Sequence, residues 1–214
     1  MGKAKISILD YGACNLFNIT RAFEHIGEIV ETVDTPEAAL QANRLVVPGV
    51  GAFHNCMHEI TARGYSDAIA AFVSTGRPFL GICVGMQILF DGSEEFGDHP
   101  GLGLLRGKVC AIPSITADGA NQKVPHIGWN HLHQERDSWQ GSILETLENT
   151  NPAVYFVHSF AARPSQESIT LASCNYGGHK ICAAIQHENI SATQFHPERS
   201  GPVGLEILRQ FCKN

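Results

Sequence analysis

The sequence predicts an α/β fold: a mostly parallel central sheet flanked by helices, with an antiparallel β extension in the C-terminal half. Three observations lead to this prediction. The first half alternates near-continuous apolar segments with helical ones, as in a parallel sheet covered on both faces. The second half consists of short strand-like segments separated by brief turns. The 214 residues contain no internal repeat or linker, so we expect one domain spanning 1–214.

In the first half, apolar runs predict the strands, and cap residues predict the helix ends. The predicted strands are KISILDY, EIVETVD, RLVVPGVG and PFLGIC. One helix is predicted from Asn15 to Ile26, and a short one over TPEAAL, with Thr35 as N-cap and Pro36 at the first helical position. The segment HNCMHEITARGYSDAIAAFVSTG is predicted to be helical with a break near Gly64, and VGMQILFDG to be the helix that follows the fourth strand.

In the second half, short apolar segments separated by brief turns predict the strands of an antiparallel extension. These segments are GKVCAI, VPHIGWNHL, AVYFVHSF, ITLASCNY, KICAAIQ and ISATQFH, and HEN is predicted to form a tight hairpin turn. The closing segment GPVGLEILRQFCKN is predicted to be a helix with Pro202 near its start.

Composition excludes several classes of function. The net charge is −6 and the basic residues are scattered, which argues against a nucleic-acid partner. No apolar run is long enough to span a membrane, and the start MGKAKISILDYG lacks the features of a secretory signal. The seven cysteines are odd in number and show no C-x-x-C spacing, which argues against a disulfide framework or a zinc cluster. We therefore expect a cytoplasmic protein.

Cys83 lies between Gly81 and Gly85, where an apolar strand meets a helix. Ligands of open parallel sheets bind at the carboxyl ends of the strands, and a nucleophile on a sharp strand-to-helix turn needs small neighbours. The helix start favours a thiolate, and the N–H of Val84 is placed to face an oxyanion. The alternative is an ordinary buried thiol in a tight turn, and this motif alone does not decide between them.

A candidate base for this cysteine appears near the C-terminus, in ATQFHPERSG. His196 ends an apolar strand, Pro197 fixes a turn, and Glu198 follows two residues after the histidine. A histidine can accept the proton of a thiol, and a carboxylate can hold the imidazole in the required tautomer. HPE alone is more simply a turn at a strand end, but HPE and the Cys83 motif together favour a catalytic triad.

The cysteine and histidine motifs of this sequence resemble those of a known family. GICVGMQ and FHPE resemble the nucleophile and base motifs of the class I (triad) glutamine amidotransferases. The segments LDYGACNL, VVPGVGAF, GICVGMQILFDGSEE, VPHIGWN, YFVHSF and QFHPERSG occur in this order. Together they resemble one branch of that family, the glutaminase subunits of imidazole glycerol phosphate synthase, and the resemblance extends over essentially the whole chain. The resemblance implies hydrolysis of glutamine to glutamate and ammonia without a cofactor or metal.

The resemblance also implies a partner. In this branch the ammonia passes to a cyclase subunit with a (β/α)8 barrel, in a heterodimer that makes imidazole glycerol phosphate and aminoimidazole carboxamide ribotide in histidine biosynthesis. Glutaminase activity is expected to stay weak until the cyclase binds its nucleotide ligand. A flexible PGVG strand that turns an N–H toward the site only when the partner is bound would explain this.

Residue roles carry over by motif. Cys83 is expected to attack the amide carbon and form a thioester, His196 to take the thiol proton and protonate ammonia, and Glu198 to orient His196. The remaining assignments fall into three groups: an oxyanion hole formed by Val50, Gly51 and Val84; a substrate site formed by Gln87, His158, Ser159 and Phe160; and a partner face formed by Asn15, Trp129 and Arg199.

Each of these assignments has a plainer alternative. PGVG is often only a turn, Gln87 suits a surface helix, His158 suits a satisfied core histidine, and Trp129 suits core packing. His54 and His58 have the i, i+4 spacing of zinc ligands, but the sequence shows no third ligand, so no metal is expected.

The chain departs from the family pattern at three positions: Cys14 replaces a glycine, Phe160 an expected tyrosine, and Arg199 a frequent lysine. Cys14 is expected to make a left-handed backbone costly. Two rival functions remain at this stage. One is a paralogous glutaminase that supplies ammonia to another acceptor, such as a surface-polysaccharide sugar. The other is a non-catalytic or redox-sensing α/β protein that uses the cysteine without hydrolysing amides, and the FHPE histidine–carboxylate pair argues against it.

Overall fold

The computed structural model describes residues 5–213. The segment before Lys5, part of the sequence tested for a secretory signal, and Asn214 at the end of the predicted last helix lie outside the described residues. Within 5–213, no helix combines the length and apolar character needed to cross a bilayer.

Fourteen strands and six α-helices are found in the described part of the chain. The strands are β1 (Lys5–Leu9), β2 (Ile29–Val33), β3 (Leu45–Gly49), β4 (Phe79–Cys83), β5 (Phe90–Ser93), β6 (His99–Pro100), β7 (Leu105–Ala111), β8 (His126–His131), β9 (His133–Gln134), β10 (Ala153–His158), β11 (Phe160–Pro164), β12 (Thr170–Tyr176), β13 (His179–His187) and β14 (Ile190–Thr193). The helices are α1 (Leu16–His25), α2 (Pro36–Gln41), α3 (Phe53–Ala62), α4 (Tyr65–Ser74), α5 (Val84–Gln87) and α6 (Gly201–Lys213).

The central sheet has eight strands in the order β2-β1-β3-β4-β14-β13-β12-β9. The first five are parallel to one another, and the last three join by antiparallel pairing. Every residue of β3 and β4 is buried, as expected for central parallel strands. The predicted fold class, a mostly parallel sheet with helices and an antiparallel extension, is confirmed.

Several local predictions are confirmed by the element ends. The Thr35 hydroxyl accepts a hydrogen bond from the Ala38 N–H at 3.2 Å, with Pro36 as the first residue of α2. Gly64, at a φ of 76°, separates α3 from α4. Glu188, at a φ of 51°, lies in the tight turn between β13 and β14.

Two predictions about element type are wrong. The helix predicted over VGMQILFDG ends at Gln87, and Phe90–Ser93 forms β5. The reason is tertiary: β5 pairs with β6 and β7 in a second sheet, ordered β11-β7-β5-β6. AVYFVHSF is also not one strand, because the chain leaves β10, which pairs with β8, and enters β11 after Ser159. The antiparallel half is therefore divided among three sheets.

Candidate active site

Cys83 occupies a strained backbone position between the central sheet and α5. It is the last residue of β4 and the N-cap of α5, with φ 56° and ψ −112°. Such a conformation costs a non-glycine residue about 1–3 kcal/mol and is concentrated at functional sites. The side chain is 5% exposed. The structure therefore supports the nucleophile-elbow interpretation of GICVG over an ordinary turn.

The two flanking glycines are required by close backbone packing. A Cβ on Gly85 would lie 1.8 Å from the Val47 carbonyl oxygen, and a Cβ on Gly81 would lie 2.5 Å from the Gly85 carbonyl oxygen. No side chain fits at either position without movement of the main chain. The glycines therefore allow α5 to begin directly against β3 and β4, which presents the thiol at the sheet edge.

His196 reaches the thiol because β14 lies beside β4. The two strands are parallel, with Thr193 opposite Ile82, so their carboxyl ends share one edge of the sheet. His196 Nδ1 lies 2.8 Å from Glu198 Oε1, and both side chains are almost fully buried. A carboxylate only accepts, so Nδ1–H donates to it and Nε2 is left for the thiol.

The charge state of His196 is set by its two neighbours. Burial alone would lower the pKa of its imidazole, but the hydrogen bonds and charges of Cys83 and Glu198 outweigh burial and raise that pKa to about 10. A protonated imidazole between the Cys83 sulfur and the Glu198 carboxylate is the favoured arrangement. Such a pair holds the nucleophile and the acid for a leaving amine at the same time.

The triad opens into a cleft of about 320 Å³, a size suited to a small ligand. Twelve of the thirteen predicted site residues line it: Asn15, Val50, Gly51, Cys83, Val84, Gln87, His158, Ser159, Phe160, His196, Glu198 and Arg199. Trp129 is the exception. The described residues 5–213 contain no group of three or more side chains arranged to hold a metal ion.

The PGVG segment borders the cleft in a conformation held by three hydrogen bonds. The Tyr11 hydroxyl donates to the Pro48 carbonyl at 2.9 Å. The Val50 N–H donates to the Ala13 carbonyl at 3.2 Å, and the Val50 carbonyl accepts from the Cys56 thiol at 3.5 Å. The Val50 N–H is therefore engaged by the loop after β1. A role for it as an oxyanion donor requires rotation of the Gly49–Val50 peptide.

Gln87 is a buried polar residue, and the surface-helix alternative is wrong: the residue is 3% exposed. Its Nε2 donates to the Phe160 carbonyl at 3.0 Å and to Gln194 Oε1 at 2.9 Å. Both amide hydrogens therefore have partners, and any contact that Gln87 makes with a ligand in the cleft involves its oxygen.

His158 is a satisfied core histidine, as its plainer alternative predicted. Its Nδ1 lies 2.9 Å from the Phe160 carbonyl oxygen and its Nε2 lies 3.1 Å from His126 Nδ1. Because a carbonyl only accepts, Nδ1 of His158 carries hydrogen, Nε2 is the acceptor, and the Nδ1–H of His126 donates to it. The His158 side chain therefore has no free polar atom for a substrate, and a binding role is left to the backbone of 158–160.

Both members of this pair are neutral imidazoles. Burial lowers the pKa of His126 to about 4 and is the largest cause of a similar shift, to about 4, at His158. The His126 ring packs between Phe156 and Tyr176, at centroid distances of 4.9 and 4.0 Å. Sequence reasoning did not find the pair, although the β8–β10 register places His126 opposite His158.

Two further residues of the site were missed. Gln194 is fully buried, and its Nε2 lies 3.7 Å from Cys83 Sγ. Its place at the carboxyl end of β14, the strand beside β4, is a signal for it, since ligands of parallel sheets bind at that edge. Glu95 lines the cleft, and its Oε2 accepts the Phe53 N–H at the start of α3.

The predicted partner face lies at the rim of the cleft. Trp129 is 59% exposed, so the core-packing alternative is wrong. The Trp129 and Tyr155 rings pack edge to face, with centroids 6.2 Å apart. The Arg199 guanidinium lies over the Tyr155 ring, 4.6 Å from its centroid. Asn15 is exposed at the start of α1. Asn15 and Arg199 therefore line the cleft, and Trp129 lies outside its lining, next to Arg199 through the ring of Tyr155.

The expected strain at Cys14 is absent. The positive φ in this loop belongs to Gly12, at 87°, and Cys14 has no positive φ. The Cys14 thiol donates to the Leu9 carbonyl at 3.7 Å. The loop therefore accommodates the cysteine without the cost predicted from the family pattern.

Comparison with known proteins gives the family. The family model for class-I glutamine amidotransferases matches residues 7–214. The chain is 48% identical over 212 residues to the imidazole glycerol phosphate synthase subunit HisH 1 of Legionella pneumophila strain Lens, covering 98% of this chain and 99% of the relative. It is 44% identical to subunit HisH of Syntrophotalea carbinolica, covering 96% and 98% of the two chains.

Solved structures agree on the fold. A structure of PurLQS from Thermotoga maritima superposes with a TM-score of 0.74 at 17% identity, covering 99% of both chains. A crystal structure of a glutamine amidotransferase superposes with a TM-score of 0.71 at 20% identity, covering 97% of both. With the elbow cysteine, the paired histidine and glutamate, and this similarity over nearly its whole length, the chain belongs to the class-I glutamine amidotransferase family, in the branch of the HisH subunits of imidazole glycerol phosphate synthase.

Proposed function

We propose that this chain is the glutaminase subunit of an imidazole glycerol phosphate synthase, which hydrolyses glutamine and passes ammonia to a cyclase subunit. The observation that carries the proposal is the elbow thiol of Cys83 beside the buried His196–Glu198 pair, at the base of a small cleft. The identity of 44–48% to HisH subunits supports the choice of this branch over a glutaminase for another acceptor.

The first half of the reaction forms a thioester. The Cys83 thiolate attacks the side-chain amide carbon of glutamine, a C–S bond forms, and the carbonyl electron pair moves to oxygen. The N–H of Val84 is proposed to stabilise that oxyanion, since it belongs to the first turn of α5, where backbone donors lack helical partners. The His196 imidazolium then gives its proton to the amide nitrogen, the C–N bond breaks, and ammonia leaves.

The second half regenerates the Cys83 thiolate and the His196 imidazolium. Neutral His196 takes a proton from water, the hydroxide oxygen adds to the thioester carbon, and the C–S bond breaks to release glutamate and the thiolate. Glu198 keeps Nδ1 protonated throughout, so Nε2 alone exchanges protons with the reactants. No other co-reactant is needed.

The remaining cleft residues are assigned to substrate binding. The Gln87 oxygen is proposed to accept from the amide NH₂ of glutamine, because the hydrogens of Gln87 are already engaged. The Glu95 carboxylate is proposed to face the α-ammonium group of glutamine, since it supplies negative charge in the cleft. The backbone of Ser159 and Phe160 is proposed to border the other end of the substrate.

Activation by the partner is proposed to act on the PGVG segment. The bond from the Val50 N–H to the Ala13 carbonyl is assigned to the resting state. A cyclase of the (β/α)8-barrel type, bound to its nucleotide ligand in a cytoplasmic heterodimer, would favour the rotated peptide in which Val50 or Gly51 joins Val84 at the oxyanion. The face formed by Asn15, Trp129 and Arg199 is proposed to contact it.

The first test is glutamate release from glutamine by the chain alone and with a histidine-type cyclase and its nucleotide ligand. We expect a large stimulation that Cys83→Ala abolishes. Turnover that the cyclase leaves unchanged would retain the glutaminase but assign it to another acceptor. An absence of turnover in every condition would refute the triad assignment.

The partner face has its own test. Trp129→Ala is expected to reduce the stimulation by the cyclase at least about tenfold, because exposed aromatic residues dominate interface energies. The basal rate should stay near that of the parent, since Trp129 does not line the cleft. Ile115→Ala, which removes an exposed apolar side chain outside the cleft, serves as the control. Equal loss of basal and stimulated rates in Trp129→Ala would contradict the assignment.

A further inference from the structure

Gln194 is a fully buried polar residue that neither the triad nor the substrate site accounts for. It follows the last residue of β14, and its backbone N–H donates to the Ala183 carbonyl at 2.8 Å, which fixes the main chain. Burial of a primary amide is costly unless its hydrogen-bonding groups are used. The partners of this amide therefore indicate what the residue is for.

The orientation of the Gln194 amide follows from an anchor at the Phe160 carbonyl. That oxygen only accepts, so the Gln87 terminus that lies 3.0 Å from it is the NH₂ group. The same NH₂ lies 2.9 Å from Gln194, so the Gln194 atom facing it is the oxygen. The other terminus of Gln194, 3.7 Å from Cys83 Sγ, is consequently the NH₂.

The chain of bonds continues away from the nucleophile. The Phe160 carbonyl also accepts from His158 Nδ1, and His158 Nε2 accepts from His126. Two donors saturate the two lone pairs of that carbonyl, so the Gln87 amide cannot turn without the loss of a bond. The donor of Gln194 is thus held against the sulfur by a network that ends on β8.

We propose that Gln194 is a further catalytic residue of this site, which donates an N–H···S hydrogen bond that stabilises the Cys83 thiolate and holds it toward the cleft. This inference rests on the proposed role of Cys83 as the nucleophile. An amide N–H can only donate, so it favours the anionic form of the sulfur over the thiol. The roles of Gln194 and His196 differ, because His196 exchanges a proton with the thiol, whereas the Gln194 amide keeps its hydrogens.

Other titratable and charged groups also face this thiol. They are His196 from the segment after β14, Tyr11 from the loop after β1, and Cys56 from α3, with Glu95 and Glu198 at greater remove in the cleft. A neutral substitution at Gln194 leaves all of these charges in place. A change in the ionisation of Cys83 can then be assigned to the lost donor.

The test is the pH dependence of Cys83 alkylation by iodoacetamide, followed by mass spectrometry of the peptide that contains Cys83, in the parent and in Gln194→Met. Methionine keeps the length of the side chain and removes the donor. Gln210→Met is the matched control, because Gln210 is also a buried glutamine but donates to Glu206, on α6. Gln194→Asn, which withdraws the amide by one methylene, repeats the test if methionine compromises folding.

We expect the pH profile of Cys83 alkylation to move to higher pH in Gln194→Met, so that alkylation at a given acidic pH slows about tenfold. In glutamate release, kcat should fall while KM for glutamine changes little. A parent-like alkylation profile in Gln194→Met and Gln194→Asn would overturn the inference, as would a rise in KM alone. A shifted alkylation profile in a chain that releases no glutamate would support the hydrogen bond and refute the glutaminase.

Discussion

Acidification should destabilise this protein through the His126–His158 pair, and the size of the effect follows from the structure. Each imidazole has a folded-state pKa of about 4, below the ordinary value of 6.5. Between these values the unfolded chain binds more protons than the folded one, so the free energy of unfolding falls as the pH is lowered. The stability that depends on the two imidazoles being neutral is fully present above about pH 6.5 and is lost progressively as the pH falls toward about 4.

The magnitude can be worked out for one histidine. A change from about pH 7 to about pH 5 covers most of the interval between the ordinary pKa of histidine and the folded-state pKa of His126. Linkage then gives a decrease of about 2 kcal/mol in the free energy of unfolding. The perturbation is His126→Phe, because a phenyl ring suits the slot between Phe156 and Tyr176. His158 keeps its bond to the Phe160 carbonyl in this variant.

The assay is urea unfolding at both pH values in the parent, in His126→Phe and in the control His133→Gln, which changes an exposed histidine. The parent should lose about 2 kcal/mol more than His126→Phe on acidification. His133→Gln should behave as the parent does. The same pH-dependent loss in the parent and in His126→Phe would refute the view that this imidazole is buried in its neutral form.

Two further predictions concern the elbow and the base. Gly85→Ala should reduce kcat about a hundredfold, because its Cβ would lie 1.8 Å from the Val47 carbonyl and must displace the elbow by an ångström or more. The control Gly76→Ala adds a Cβ in open space at a φ of 75°, costs about 1 kcal/mol of backbone strain, and should keep full activity. Equal rates in Gly85→Ala and Gly76→Ala would contradict the packing argument. Glu198→Gln should lower the pKa of the His196 imidazole and reduce kcat at least about a hundredfold, with little change in the thermal midpoint. A pH–rate profile identical to the parent's would show that the carboxylate does not control this histidine.

The parts of the site that the sequence predicts are those governed by local backbone chemistry. Two motifs can be recognised from a few neighbouring residues: a cysteine between glycines at a strand-to-helix junction, and a histidine before Pro-Glu. The structure places both side chains in one cleft. The β5 strand was mistaken for helix because ILFDG has no local signal for its partners, β6 and β7.

The residues that sequence reasoning missed were missed for one physical reason. Gln194 directly follows β14 and His126 is the first residue of β8, and each acquires its role only from a side chain far away in sequence. A composition or spacing rule treats such residues as ordinary strand positions. Their partners become visible only when strand register and the direction of each donor are known.

The position of β14 has a consequence for how the active site is assembled during folding. It is the last strand in the chain, yet it lies in the middle of the central sheet, with β4 on one side and β13 on the other. Until β14 inserts, the parallel and antiparallel halves of that sheet share no edge, and Cys83 has neither His196 nor Gln194 beside it. A chain in which β14 is unpaired therefore carries its thiol without a base, and the capacity to release ammonia requires the long-range pairing of β14 with β4.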